Sequence, residues 1–320
     1  MPDYSEYINV RKIAVAQTAN ANTAISKGRV SYRYDGYFPL YRGIRLPINS
    51  LLSNKFTSSQ SPSQPEFLPS NILNLNLWLD ASDGATISSA GGVASQWTDK
   101  SLNAYSLTQS NNTFKPTYSN NIMTFSSDKN FDMPNAAINN ATTFDLFIVF
   151  NPKTSVNWII GKQRDGFYTP TVVSMTNYID SGTVTGTTNY VYFRAGANPL
   201  LSTNINSNSA LTLNNLQILG IHNNGSNCLF NSNGNTLSST TALAIPDVPA
   251  VSSFKIGALF ANAAYTNSGV TNFDLCEMIF YNSTIAPLDR QKIEGYLAWK
   301  WGLQSSLPSG HPYKNAKPSS

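Results

Sequence analysis

The chain has 320 residues, a net charge of +4, and only 12% charged against 12% aromatic residues. Soluble globular proteins average about 25% charged residues. Here Asn, Ser and Thr supply the polarity instead, and these favour turns and edges over helix interiors. The aromatic content excludes wholesale disorder, and the length leaves room for one large β domain plus a further segment.

The N-terminal part is the basic part. Residues 1–67 hold eight Lys/Arg and four Asp/Glu, a balance of +4, while the remainder holds thirteen of each sign. The opening MPDYSEYINV has neither a basic n-region nor an apolar h-region, so no signal peptide is expected. Residues 28–48, GRVSYRYDGYFPLYRGIRLPI, interleave aromatic rings and arginines with Gly and Pro, too broken for a long strand or helix. Residues 1–56 therefore read as an extended arm. Its partner-binding candidates are Arg29, Tyr32, Arg33, Tyr34, Tyr37, Phe38, Tyr41, Arg42 and Arg45, because Arg and Tyr dominate interface hot spots. The arm lacks the dense Lys/Arg run of a nucleic-acid tail. Residues 57–67 read as a Ser/Gln/Pro linker.

From residue 68 to residue 320 the pattern is all-β. Short apolar segments alternate with turn signals, among them 75–79, 122–125, 144–150, 217–222, 227–231 and 273–281. Asn223-Asn224-Gly225-Ser226 and Asn233-Gly234 supply the residues that hairpin turns need. The longest strongly apolar run, Leu146–Phe150, is too short to span a bilayer. One helix is expected over 286–301, APLDRQKIEGYLAWKW, with Pro287 in its first turn and Gly302 closing it. Leu288, Ile293, Leu297 and Trp301 are expected to face the sheet, and Gly295 to allow close approach of a strand.

Residues suited to catalysis are sparse. There are four Glu (Glu6, Glu66, Glu277, Glu294), none in the paired strand arrangement of a retaining glycosidase. His222 and His311 are 89 positions apart and read as structural. Cys228 and Cys276, both inside apolar segments, read as small buried hydrophobes. Trp78 and Trp301 read as core. Any of the five tryptophans, Trp299 included, could stack on a sugar, and Trp97 and Trp158 are the better surface candidates. No phosphate-binding glycine loop is present.

Several segments in order resemble the LamG-like jelly-roll, or concanavalin A-like lectin/glucanase, superfamily. They are LWLDASD (77–83), SQWTDKSLN (95–103), TFDLFIVFNP (143–152), ILGIHNNGSNCLFNSNGN (218–235), FKIGA (254–258) and the ending FDLCEMIFYNSTIAPLDRQKIEGYLAWKWGLQSSLPSGHPY (273–313). That ending is similar to the ending of many phage and giant-virus structural proteins. The resemblance implies a two-sheet antiparallel jelly-roll sandwich with one C-terminal helix, in which Glu277 is a structural carboxylate. It also implies calcium as a candidate ligand, with Asp80, Asp83, Asp99 and Asp128 as weak candidates; no other cofactor is expected. The expected function is that of a non-enzymatic virion structural protein: a minor capsid, cement or surface component anchored to other capsid proteins through residues 1–67. The alternative is a carbohydrate- or receptor-binding module on a fibre or surface; a glycoside hydrolase ranks last.

Overall fold

The computed structural model describes residues 65–320, apart from 139–140, 155–156, 164–174, 184–188, 196–202, 207–211, 242–244, 246–253, 259–271, and, further upstream, two short strands. The chain divides into two units, Met1–Ser63 and Gln64–Ser320. In the first, β1 (Tyr37–Pro39) and β2 (Arg45–Pro47) pair antiparallel, with Phe38 opposite Leu46. A proline ends each strand, and Pro cannot donate to a continuing ladder.

Among the described residues the second unit holds seventeen strands and one long helix. The strands are β3 (Leu75–Asp80), β4 (Ile87–Ala90), β5 (Val93–Thr98), β6 (Ser106–Thr108), β7 (Thr117–Ser119), β8 (Ile122–Ser126), β9 (Phe131–Met133) and β10 (Phe144–Pro152). There follow β11 (Asn157–Gln163), β12 (Met175–Thr183), β13 (Asn189–Ala195), β14 (Thr203–Asn206), β15 (Gln217–Asn223), β16 (Asn227–Ser232), β17 (Asn235–Thr241), β18 (Phe254–Ile256) and β19 (Asn272–Tyr281). The helix, α1, spans Pro287–Trp301.

The pairings, all antiparallel, trace two sheets. One runs β17-β16-β15-β10-β19, with β3 and β8 sharing the far edge of β19. The other runs β14-β13-β12-β11-β18-β9-β6-β5-β4. Strand β7 joins them at one edge, pairing with both β5 and β8. The hairpin from β16 to β17 turns on Asn233 and Gly234, both at positive φ (48° and 77°), which fits the right-handed strand twist.

The first sheet is covered on both faces. Leu77, Leu79, Leu146, Ile148, Phe150, Leu219, Ile221 and Phe280 point inward, against Trp97, Leu107, Phe131, Met133, Phe254 and Ile256 of the second sheet. Trp78, Phe147, Val149, Ile218, Ile279 and Tyr281 point outward, against Ile293, Tyr296, Leu297 and Ala298 of α1. That is why β10 and β19 read as unbroken apolar runs and not as alternations. Each fully buried side chain of this size contributes about 1.5–3 kcal/mol. Cys228 and Cys276 are buried free thiols, and burial pushes both up to about 12, so they behave as small hydrophobes.

Several sequence expectations need correction. Trp97, a candidate for stacking on a sugar, is fully buried between the sheets and offers no face to a ligand. Leu288 is exposed, because five residues from Ile293 it sits about 140° around the helix. Trp301 faces the sheet as expected but is only half-buried, packed against the helix-side core without being enclosed in it. Phe67, placed at the end of the linker, is buried under α1, so the sandwich begins by Glu66, which bridges to Ser319 near the chain end. Both end signals of the helix hold: Pro287 opens α1 and Gly302 ends it at φ 73°. Among the described residues no helix is long and apolar enough to cross a membrane.

Candidate functional site

A cleft of about 430 Å³ opens where the end of β3, the 99–101 turn, the last turns of α1 and the C-terminal tail meet. Its wall and floor include Trp78, Asp80, Asp83, Lys100, Trp299 and Lys300, with Glu66 and Lys317 also lining it.

The floor rests on Glu277. This carboxylate is fully buried, and the reason lies in the strand. Leu275 and Met278 both point inward though they are three residues apart, because a bulge between Val149 and Phe150 shifts the β10–β19 register. The extra residue leaves both Cys276 and Glu277 on the helix side. Glu277 Oε1 accepts from Trp78 Nε1 (2.8 Å) and Tyr296 Oη (3.0 Å). Its Oε2 accepts from Trp301 Nε1 (2.6 Å) and pairs with Lys300 Nζ (2.8 Å). Burial pushes this carboxyl above the usual range, Asp80 adds to the push, and Lys300 opposes it. All four contacts are donors, so the ionised form is the one they satisfy. The structural role expected of Glu277 is the one its surroundings give it.

The charges continue outward in alternation. Lys300 reaches Asp80 Oδ1 at 2.7 Å, Lys100 reaches Asp80 Oδ2 at 2.9 Å, and Lys100 reaches Asp83 Oδ2 at 2.9 Å. At Asp80 burial works to raise the pKa, but Lys300, Ser82 and Lys100 together hold it below the usual carboxylate range. Burial likewise works to lower Lys100, and Asp83 and Asp80 outweigh it, so its pKa is raised. Lys100 also lies 4.4 Å from the centre of the Trp78 ring, a cation–π contact that covers that face. Trp299 is the half-buried ring on the wall, and its Nε1 donates to Tyr313 O (2.8 Å), which fixes the indole in place.

Asp80 and Glu277 face each other across β3 and β19, a carboxylate pair that no spacing of Glu residues revealed. Lys300 sits between them, bonded to both, and Glu277 has no accessible surface. With Lys300 held between the two, neither carboxylate is free to act as acid or nucleophile.

The calcium candidates do not converge. Asp80 and Asp83 meet on Lys100, whose ammonium takes the place a metal would need. Asp99 accepts from the backbone N–H of Trp78 (2.6 Å) and of Ser101 (2.8 Å), pinning its turn to β3. Asp128 lies between β8 and β9, where its carbonyl accepts from Asn130 Nδ2. Among the described residues no three His, Cys, Asp or Glu side chains are grouped to hold a metal ion.

The two histidines each contact a buried carboxylate. His222 Nδ1 bonds Asp145 Oδ1, and Asp145 Oδ2 accepts from the Ile285 N–H (2.7 Å) just before α1. His311 Nε2 lies 3.1 Å from Glu294 Oε2 and ties the tail to the helix. Both serve to fasten α1. Of the arm candidates, Tyr37, Phe38 and Arg45 lie on β1 and β2, while Arg29, Tyr32, Arg33, Tyr34, Tyr41 and Arg42 lie outside the described residues. Trp158 lies on β11 opposite Asp180, and its side chain is outside the described residues.

No protein-family model matches the sequence, and no curated protein matches it. Among solved structures, the chain is similar to Trypanosoma rangeli sialidase in complex with sialic acid (13% identity, TM-score 0.48, 74% of this chain and 36% of that one). It is also similar to the binding domain of Paraclostridial Mosquitocidal Protein 1 (12%, 0.47, 69% and 52%). A third is a botulinum neurotoxin type C structure, from work on its entry into cells through two ganglioside molecules (10%, 0.45, 70% and 51%). The chain spans about half or less of the length of each. Likeness at these levels carries no argument about function.

Proposed function

We propose that the sandwich is a non-enzymatic binding module and that the cleft beside Trp299 takes a carbohydrate. The observation that carries this reading is the cleft itself. It combines one fixed, half-buried indole with a floor of polar groups already oriented by their mutual bonds. Sugars are recognised by that combination of an aromatic platform and a few placed polar groups. A fixed ring loses little freedom on binding, which favours affinity. The occluded Asp80–Glu277 pair speaks against hydrolysis.

Trp299→Ala is expected to weaken glycan binding at least about tenfold, or 1.4 kcal/mol, with the melting temperature little changed. Titration of the parent and the variant with glycans selected on an array checks this. A variant that binds as well as the parent removes Trp299 from the site, and a parent that binds no glycan refutes the reading.

The second reading is a virion structural protein of the viral LamG-like type, anchored to capsid neighbours by its arm. It is favoured by the viral-type ending at 273–313 and by the location of the whole net charge, with its Tyr/Arg cluster, in residues 1–67. Deleting residues 1–60 is then expected to leave melting of the sandwich unchanged and to abolish incorporation into particles. A truncated chain that melts normally and still incorporates overturns it.

A further inference from the structure

We infer that the cleft selects uncharged, hydroxyl-rich ligands and discriminates against anionic sugars. This deepens the glycan reading and rests on it. The reason is the commitment of its charges. Two carboxylates, Asp80 and Asp83, line the floor with two ammonium groups, Lys100 and Lys300, and the four are joined to one another by ion pairs. Neither lysine is spare.

An ammonium group has three N–H donors. Those of Lys300 go to Asp80, Glu277 and the Tyr296 hydroxyl (3.1 Å). Two of those of Lys100 go to Asp80 and Asp83, which leaves one. Behind the floor stands Glu277, a further carboxylate for which the described residues supply no additional cation.

An incoming carboxylate or sulfate would meet this arrangement badly. It would have to draw Lys100 away from two carboxylates that lie 2.9 Å away, and it would bring its own charge toward Asp80, Asp83 and Glu277. A sugar hydroxyl meets it well, because it accepts from the remaining Lys100 N–H while donating to a carboxylate oxygen. Neighbouring hydroxyls on a ring repeat that pattern, and the floor alternates acceptor and donor in the same way. At the rim Glu66 and Lys317 are both exposed, one of each sign, and solvent screens them.

The test uses the full chain on an array of matched oligosaccharides, each neutral chain printed beside its sialylated and sulfated forms. Neutral forms are expected to bind at least about tenfold better than their anionic partners (1.4 kcal/mol). Asp83→Asn, with its fold checked by melting, frees Lys100 from one carboxylate and is expected to narrow that ratio by raising anionic binding. A parent that prefers sialylated or sulfated forms overturns this inference while leaving the glycan reading intact. A ratio unmoved by Asp83→Asn, when Trp299→Ala still weakens binding, also overturns it. A parent that binds nothing on the array sinks the glycan reading and this inference together.

Discussion

Glu277→Ala is expected to destabilise the sandwich by about 3–5 kcal/mol, the range for removing one partner of a buried ion pair. The carboxylate is the common acceptor of Trp78, Tyr296, Trp301 and Lys300. Deleting it leaves two indole N–H groups and a phenol without their partner beneath the helix, and leaves Lys300 with Asp80 alone as counter-charge. Glu277→Gln should recover little of this. The amide keeps the shape but replaces an accepting oxygen by an NH₂ that faces donors. Urea unfolding of the three proteins measures the difference. An alanine variant within about 1 kcal/mol of the parent would mean that the four donors find water or one another, and that the cage does not hold α1 to the sheet.

The fold was legible where the sequence obeyed a local rule. Pro287 and Gly302 bracket α1 because one lacks an N–H and the other accepts positive φ. Asn233-Gly234 marked its hairpin for the same kind of reason. The apolar runs of β10 and β19 marked strands, but not that both their faces are covered, since a run shows burial and not what buries it. Trp97 was misplaced because its strand shows weak alternation, Val93-Ala94-Ser95-Gln96-Trp97-Thr98, with mostly polar neighbours.

The site was less legible than the fold. Lys100, Lys300 and Asp80 are brought together from positions up to 220 residues apart, and no spacing rule joins them. The bulge that aims Glu277 at α1 has no sequence mark, because Leu275, Cys276 and Met278 are apolar whichever way they point. Trp299 did carry a signal. It lies two residues from Leu297, which packs on the sheet, and so about 200° around the helix from it. A ring on the side away from the sheet meets solvent, a ligand or another segment, and here the C-terminal tail takes its indole N–H.

Gly295→Ala tests whether the tail sets the cleft wall. Helix propensity alone favours the change by about 1 kcal/mol, since glycine in a helix interior is that much worse than alanine. Packing opposes it. A Cβ at position 295 would stand 2.5 Å from Tyr313 Cβ and 2.8 Å from its Cγ, so the glycine serves close approach of the C-terminal tail and not of a strand. Those atoms are the root of the ring, and no rotation about χ1 carries Tyr313 Cβ away, so the tail backbone itself must move. It is tied on both sides: His311 contacts Glu294, and Tyr313 O accepts from Trp299 Nε1. Overpacking costs about 1–3 kcal/mol, and a clash that only backbone movement relieves belongs in the upper part of that range, so packing is expected to win, for a net loss of about 1–2 kcal/mol and a melting temperature lower by roughly 2–8 °C. The same displacement removes the hydrogen bond that fixes Trp299, so glycan binding should weaken although residue 295 does not line the cleft. Thermal melting and ligand titration of the one variant read both effects. A variant that melts above the parent would show that the tail yields freely, and that the position of Trp299 does not depend on it.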